Sequence, residues 1–232
     1  MFFKFVAKII IVCSITILSA QFVDILSVGG AIVPSARTAV GPRAAKPRKP
    51  TMKKSDIRTA ARRAAAALDA AERERQSRIA TERLHRIIEE ERPAVAALFA
   101  PLPDEIDISP LLRTIDCRVV LPRVADGPNG EAEMEFYDFD PLGMARGAYG
   151  IDEPQGNIPC PPERIDLMVV PGMAFTRDGV RLGRGKGYYD RYIAREGFRA
   201  RRIGVCFRHQ LLPDLPAEPH DRRMDIVVTA EE

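Results

Sequence analysis

The chain has 232 residues, 46% apolar and 29% charged, with a formal net charge of +3. That is enough for one domain with a sizeable core plus an extension. The charge is uneven: residues 1–50 carry seven Lys/Arg against Asp24 alone, a local +6, so the remainder sums to −3 and does not offer the broad basic face of a nucleic-acid binder.

The chain opens with MFFKFVAKIIIVCSITILSA, two lysines followed by an apolar run from Ile9 to Ala20. It reads as a signal-peptide-like leader with Ala20 as a cleavage position, and is short for a transmembrane span. PSARTAVGPRAAKPRKP follows, a Pro/Ala/basic linker that cannot bury a core. The second reading is an early start codon, since MKKSDIRTAARR from Met52 has the character of a cytosolic N-terminus; this reading is favoured. Residues 1–51 are accordingly an N-terminal extension and 52–232 the functional domain. The cysteines, Cys13, Cys117, Cys160 and Cys206, show no CxxC spacing, which argues against a zinc site or a disulfide scaffold.

From residue 53 to Pro93, Ile57, Ala61, Ala64, Ala65, Leu68 and Ala71, then Ile79, Leu84, Ile87 and Ile88, recur at helical spacing. They predict two helices or one bent helix, stopped by Pro93. AVAALFA (94–100) fits strand or helix. SPLLRTI predicts a short helix with Ser109 as N-cap and Pro110 at its first position. CRVVLP (117–122) and EMEFYDF (133–139) read as neighbouring strands, and GIDEPQGNIPCPPE (150–163) as loop. IDLMVV (165–170) reads as a strand buried on both faces. A helix from Tyr188 to Glu196, closed by Gly197, and strands RRIGVCF (201–207) and MDIVVT (224–229) complete the chain. Alternating strands and helices predict an α/β fold: a single three-layer α/β/α domain with a mixed, mostly parallel central sheet and an N-terminal helical segment.

RLGRGKGYYD (181–190) carries the chemistry. Gly183, Gly185 and Gly187 can take positive φ and bring backbone N–H groups close to a phosphate. Arg181, Arg184 and Lys186 add positive charge, and the helix starting at Tyr188 favours anions at its N-terminus. The spacing is neither GxxxxGK[ST] nor GxGxxG. Alone it fits a phosphate cradle or a flexible surface loop. Asp190 just beyond it suits Mg²⁺, which takes one or two carboxylates plus phosphate oxygens, or else stabilises the helix start. A nucleic-acid-binding module stacking bases on RGKGYY is the alternative from another class.

DLMVVPGMAFTRDGVRLGRGKGYYDRY (166–192) resembles the 5-formyltetrahydrofolate cyclo-ligase family, also called methenyltetrahydrofolate synthetases. Weaker likenesses at KSDIR (54–58), Asp104-Glu105, LPRV (121–124), EMEF, GIDEP and PHDRRMD (219–225) extend it over residues 53–230. The resemblance implies ATP- and Mg²⁺-dependent closure of 5-formyltetrahydrofolate to 5,10-methenyltetrahydrofolate, with release of ADP and phosphate, by a cytoplasmic monomer with no nucleic-acid partner and no stable membrane association. It implies ATP contacts from Lys54, Ser55, Asp56, Ile57 and Arg58, and from Arg181, Leu182, Gly183, Arg184, Gly185, Lys186, Gly187, Tyr188 and Tyr189. Arg184, Lys186 and Tyr188 would be catalytic. Ala100, Glu105 and Tyr149, with residues 184–188, would meet the folate, and Asp190 with Asp221 would hold Mg²⁺. Met134 and Phe175 fit either an apolar pocket or ordinary core. His85, His209 and His220 show no ligand spacing, although His220 adjoins Asp221.

Overall fold

The computed structural model describes residues 52–127, 130–147 and 150–230, all within one compact unit, Pro47–Glu232. The leader-like segment and Tyr149 lie outside the described residues.

Two helices lead: α1 (Lys54–Ala67) and α2 (Ala70–Glu91). Asp69 separates them as N-cap of α2, accepting from the Glu72 backbone N–H. Arg92 takes the left-handed conformation (φ 48°) and ends α2 directly before Pro93. AVAALFA contributes β1 (Val95–Ala97), and α3 (Leu111–Thr114) follows. Pro110, not Ser109, occupies the cap position of α3, and no side-chain cap bond forms there. The next strands, β2 (Arg118–Asp126) and β3 (Ala132–Asp138), form an antiparallel pair.

The segment expected to be loop contributes a strand instead. β4 (Met144–Arg146) pairs antiparallel with β5 (Asp152–Pro154). Three-residue strands ending in Pro are too short to show alternation in sequence. β6 (Leu167–Pro171) follows, then a second small hairpin of β7 (Ala174–Phe175) and β8 (Arg181–Leu182). The glycine loop therefore follows a hairpin rather than the buried strand itself. α4 (Tyr188–Ile193) is shorter than its expected end at Glu196, and Gly197 (φ 78°) turns the chain a few residues beyond it. β9 (Arg201–Val205) and β10 (Ile226–Val228) complete the domain.

The main sheet has six strands in the order β10-β9-β6-β1-β2-β3. Every adjacent pair is parallel except β2–β3, so the antiparallel strand sits at one edge. Successive residues of the central strands serve two cores. Leu167, Val169, Ile203 and Val205 face α2 and α3 through Ala80, Leu84, Ile88 and Leu111. Met168, Val170 and Ala97 face Tyr192 and Ile193 of α4 on the other side. That alternation makes the α/β/α layering and explains why β6 is apolar without a break. Phe175 is fully buried in the second core, where a Cβ on Gly172 or Gly204 would fall 2.7 or 2.5 Å from its ring. Cys160 and Cys206 are buried, and Cys117 is half-buried. Among the described residues no helix is long and apolar enough to cross a membrane.

Candidate functional site

A cavity of about 550 Å³ opens at the carboxyl ends of the central parallel strands. Phe99, Ala100, Leu102 and Glu105 come from the segment after β1, and Pro171 and Gly172 from the end of β6. This is where open α/β sheets place ligands, because side chains and loops converge there beyond the last ladder bonds. The glycine loop forms one wall and α1 another.

The loop owes its path to glycine. Gly185 has φ 106° and Gly187 has φ 70°, conformations that side chains with a Cβ adopt only under strain. Gly187 is also the N-cap of α4, with no side-chain cap of its own. α4 is a single short helix of six residues, so the loop's own amides and cations matter more to an anion than a macrodipole does.

α1 is pinned to this loop and to the C-terminal segment. Arg58 Nε donates to the Gly183 carbonyl at 2.8 Å. Lys54 Nζ donates to Asp221 Oδ2 at 2.7 Å and lies 3.0 Å from Glu218. Burial disfavours the Asp221 carboxylate, but the Lys54 ammonium and the Glu218 backbone N–H outweigh that and hold its carboxyl below the ordinary value. One helical turn separates Lys54 from Arg58, so both reach the cavity. Ser55 and Asp56 fall on the exposed side and bond each other, and Ile57 packs into a small core with Ala174, Val180 and Leu182. None of the three lines the cavity.

The three basic residues of RLGRGKGYYD have different fates. Arg181 is buried; Nη1 donates to the Pro171 carbonyl at 3.0 Å and Nη2 to Asp190 Oδ2 at 2.8 Å. Its Nε is buried with no hydrogen-bond partner among the described residues. Arg184 reaches across the cavity to the acidic pair after β1: Nη2 donates to Asp104 and, at 2.9 Å, to Glu105 Oε1, and Nε donates to the same oxygen at 3.1 Å. Glu105 Oε2 accepts from the Leu102 backbone N–H at 3.0 Å. Burial pushes the Glu105 carboxyl up, against the pull of Arg184. Lys186 is exposed, and among the described residues its ammonium makes no hydrogen bond or ion pair. An incoming polyphosphate therefore meets Lys186 as the unneutralised charge of the loop.

Tyr188 and Tyr189 both line the cavity. Arg191 lies 5.3 Å above the Tyr188 ring, and Arg181 lies 5.5 Å from that of Tyr189. Burial pushes the Tyr189 hydroxyl well above its ordinary value, so it stays a proton donor.

Asp190 and Asp221, far apart in sequence, come together. Asp190 Oδ1 accepts from the backbone N–H of Arg222 at 3.1 Å, and both acids face the cavity. Two carboxylates next to a phosphate-sized loop are an all-oxygen donor set that suits Mg²⁺ shared with phosphate oxygens. Each already pairs with one cation, Arg181 or Lys54, through its Oδ2; Asp221 Oδ2 also accepts from the Glu218 backbone N–H at 2.7 Å, which leaves Oδ1 the more available oxygen of Asp221. Glu218 and His220 add ligand atoms within 4.8 Å of Asp221. His220 Nε2 is 3.3 Å from Glu218 and 3.7 Å from Asp221. His85 pairs with Glu89, and His209 stacks on Phe207.

Of the remaining expectations, Ala100 and Met134 line the cavity, while Phe175 does not and belongs to the core. Glu153, Pro122, Val124, Ile151, Gly172 and Glu218 also line it and were not expected there. Pro122, Val124 and Glu153 lie on strands whose pairing carries them to the site, and single-chain spacing gives no sign of that. GIDEP was legible as a motif, but its place beside β2 was not.

A family model described as the 5-formyltetrahydrofolate cyclo-ligase family matches residues 50–230. A mouse 5-formyltetrahydrofolate cyclo-ligase is 26% identical over 174 residues, covering 70% of this chain and 86% of that protein. One from Mycolicibacterium smegmatis is 34% identical over 131 residues, covering 55% and 67%. The solution structure of an Aquifex aeolicus 5,10-methenyltetrahydrofolate synthetase superposes with a TM-score of 0.66 at 31% identity, over 78% of this chain and 91% of that one.

Proposed function

The chain belongs to the 5-formyltetrahydrofolate cyclo-ligase family, and from that premise we propose that it is a ligase closing 5-formyltetrahydrofolate to 5,10-methenyltetrahydrofolate, driven by ATP with Mg²⁺ and releasing ADP and phosphate in the cytoplasm as a monomer. The observation that carries the reading is one cavity that joins the glycine loop, α1 and the acidic pair Asp190/Asp221 to an apolar wall of Phe99, Leu102, Pro122, Val124, Met134 and Ile151.

The chemistry needs activation because a formamide oxygen is a poor leaving group. In the proposed sequence the formyl oxygen attacks the γ-phosphorus and ADP departs. N10 then attacks the formyl carbon, the C–O bond breaks with release of phosphate, and the N10 proton is lost. Positioning and charge neutralisation govern the first step. The amides of residues 183–187 and the free ammonium of Lys186 are placed for the transferring phosphoryl group. Arg58 holds the loop through the Gly183 carbonyl, and Lys54 fixes the segment bearing Asp221. Arg181 orients Asp190. Mg²⁺, when bound by Asp190 and Asp221, supplies neutralisation of polyphosphate charge. Arg184 fixes Glu105, so that Glu105 presents a set orientation to the folate, and Tyr188 stands between the two halves of the cavity. Arg181 and Arg184 are each paired with carboxylates, which leaves RGKGYY little free charge for nucleic acid.

An assay of the purified protein with 5-formyltetrahydrofolate, ATP and Mg²⁺ tests the proposal. Methenyl absorbance should rise in step with ADP, and Asp190→Asn should abolish turnover while the fold persists. Full activity of that variant would remove the role given to Asp190.

A further inference from the structure

One buried carboxylate on the cavity wall has no part in the sequence of steps above. Glu153 in β5 is 5% exposed and lines the cavity beside Pro122, Val124, Met134 and Ile151. These neighbours are apolar, and no ion pair to Glu153 forms among the described residues. Arg123 is the nearby cation, but its Nη1 donates to the carbonyls of Pro154 and Gly156, both at 2.9 Å, and its guanidinium lies 3.7 Å over the Tyr137 ring. Burial pushes the Glu153 carboxyl up, and the Val124 backbone N–H and the charge of Arg123 only partly offset this. The backbone makes room for the group: a Cβ on Gly147 would fall 2.3 Å from the Glu153 carboxyl carbon. Glu105, the other buried acid of the cavity, is by contrast tied to Arg184.

A carboxylate buried without a cation is costly, and on the wall of a ligand cavity its partner is expected to come from the ligand. The proposed reaction creates such a partner. The ring system of 5-formyltetrahydrofolate is neutral, whereas closure leaves an amidinium cation spread over N5, the bridging carbon and N10. Glu153 lines the same cavity as the loop and the acidic pair, so its charge acts on a cation bound there through surroundings that screen less than water.

Building on the cyclisation reading, we propose that Glu153 is the counter-ion of the methenyl cation, stabilising the positive charge that develops as N10 closes on the formyl carbon. The N10 lone pair makes the new bond, the C–O electrons leave with phosphate, and the N10 proton goes to water. Glu153 stays ionised and chemically unchanged throughout. Its effect falls on the closing step and on product affinity, not on binding of the neutral substrate or on ATP.

The test compares wild type, Glu153→Gln and Glu153→Asp. Dissociation constants for 5-formyltetrahydrofolate and for 5,10-methenyltetrahydrofolate are measured without ATP, by stopped-flow mixing so that the methenyl compound persists. Glu153→Gln should weaken methenyl binding on the order of tenfold or more, leave 5-formyl binding within about twofold, and lower kcat with little change in KM. Glu153→Asp, which keeps the charge one methylene further back, should fall between. Glu153→Gln should also melt at or above the wild-type temperature, since it removes a buried charge; if it does not fold, the Glu153→Asp ratio carries the test. A folded Glu153→Gln with an unchanged product-to-substrate affinity ratio overturns the counter-ion role, as does a wild-type ratio in Glu153→Asp. Failure of the wild-type protein to cyclise at all would instead overturn the function on which the inference rests.

Discussion

Removing Arg184 should expose how the cavity is held open. Its guanidinium is one-third exposed, whereas the Glu105 side chain it binds is only 8% exposed. Arg184→Ala leaves Glu105 with the Leu102 N–H as its remaining partner. Breaking a fully buried pair from one side costs about 3–5 kcal/mol, and partial solvation of Arg184 reduces this to roughly 2–3 kcal/mol. For a domain of this size that lowers Tm by roughly 5–10 °C. The sign with pH follows from Glu105. Its carboxyl is already raised by burial, and without Arg184 it rises further. An acid with a raised folded pKa binds its proton more tightly when folded, so stability falls as pH climbs from the ordinary Glu value through the folded one. The penalty of Arg184→Ala should therefore be larger near about pH 8 than near about pH 5, and Arg184→Ala/Glu105→Gln should recover most of it. Urea midpoints of the four proteins in this cycle, at both pH values, measure the effect. An Arg184→Ala cost below about 0.5 kcal/mol, an equal cost in the Glu105→Gln background, or no pH dependence would refute the pairing argument.

Other substitutions separate binding from folding. Lys186→Ala should leave Tm within about 2 °C of wild type, because among the described residues its ammonium makes no hydrogen bond or ion pair, yet lower kcat/KM for ATP by roughly tenfold or more; unchanged kinetics would dissociate Lys186 from the phosphates. Lys54→Ala should destabilise near about pH 7, and its difference from wild type should shrink as pH falls below the ordinary Asp value, since a depressed Asp221 carboxyl contributes stability above the ordinary Asp value and loses it as pH falls through the folded one; parallel stability curves would count against that bridge. Gly179→Ala should be severely destabilising, because φ is 89° and the new Cβ would fall 2.1 Å from the Met224 carbonyl oxygen; a soluble variant with wild-type Tm would mean that this turn relaxes freely. Phe175→Ala should cost about 3–5 kcal/mol in stability, as expected for a core residue outside the cavity.

The layers were legible because β6 and β9 are apolar runs buried on both faces, and because α1 and α2 carry apolar residues at helical spacing. The small hairpins β4–β5 and β7–β8 were not legible. Strands of two or three residues are fixed by cross-strand partners and not by their own pattern. The same limit shaped the site. The glycine loop and α1 could be read from local glycines, charges and the family likeness, which also brought Asp221 to Asp190. The actual partners of Arg181 and Arg184 could not. RLGRGKGYYD looks like three free cations in a row, yet its path from β8 buries Arg181 under Pro171 and turns Arg184 onto Asp104 and Glu105. Glu153 was hidden for a related reason, since its place on the wall depends on β5 packing beside β2.

The central claim is that one cavity binds ATP and folate together and joins them chemically. The most direct measurement is a single time course with residues 52–232, 5-formyltetrahydrofolate, ATP and Mg²⁺, following methenyl absorbance and ADP together. The account predicts equal amounts of both, and neither when ATP or Mg²⁺ is left out. A folded protein that forms no methenyl product, or forms it without consuming ATP, would contradict it.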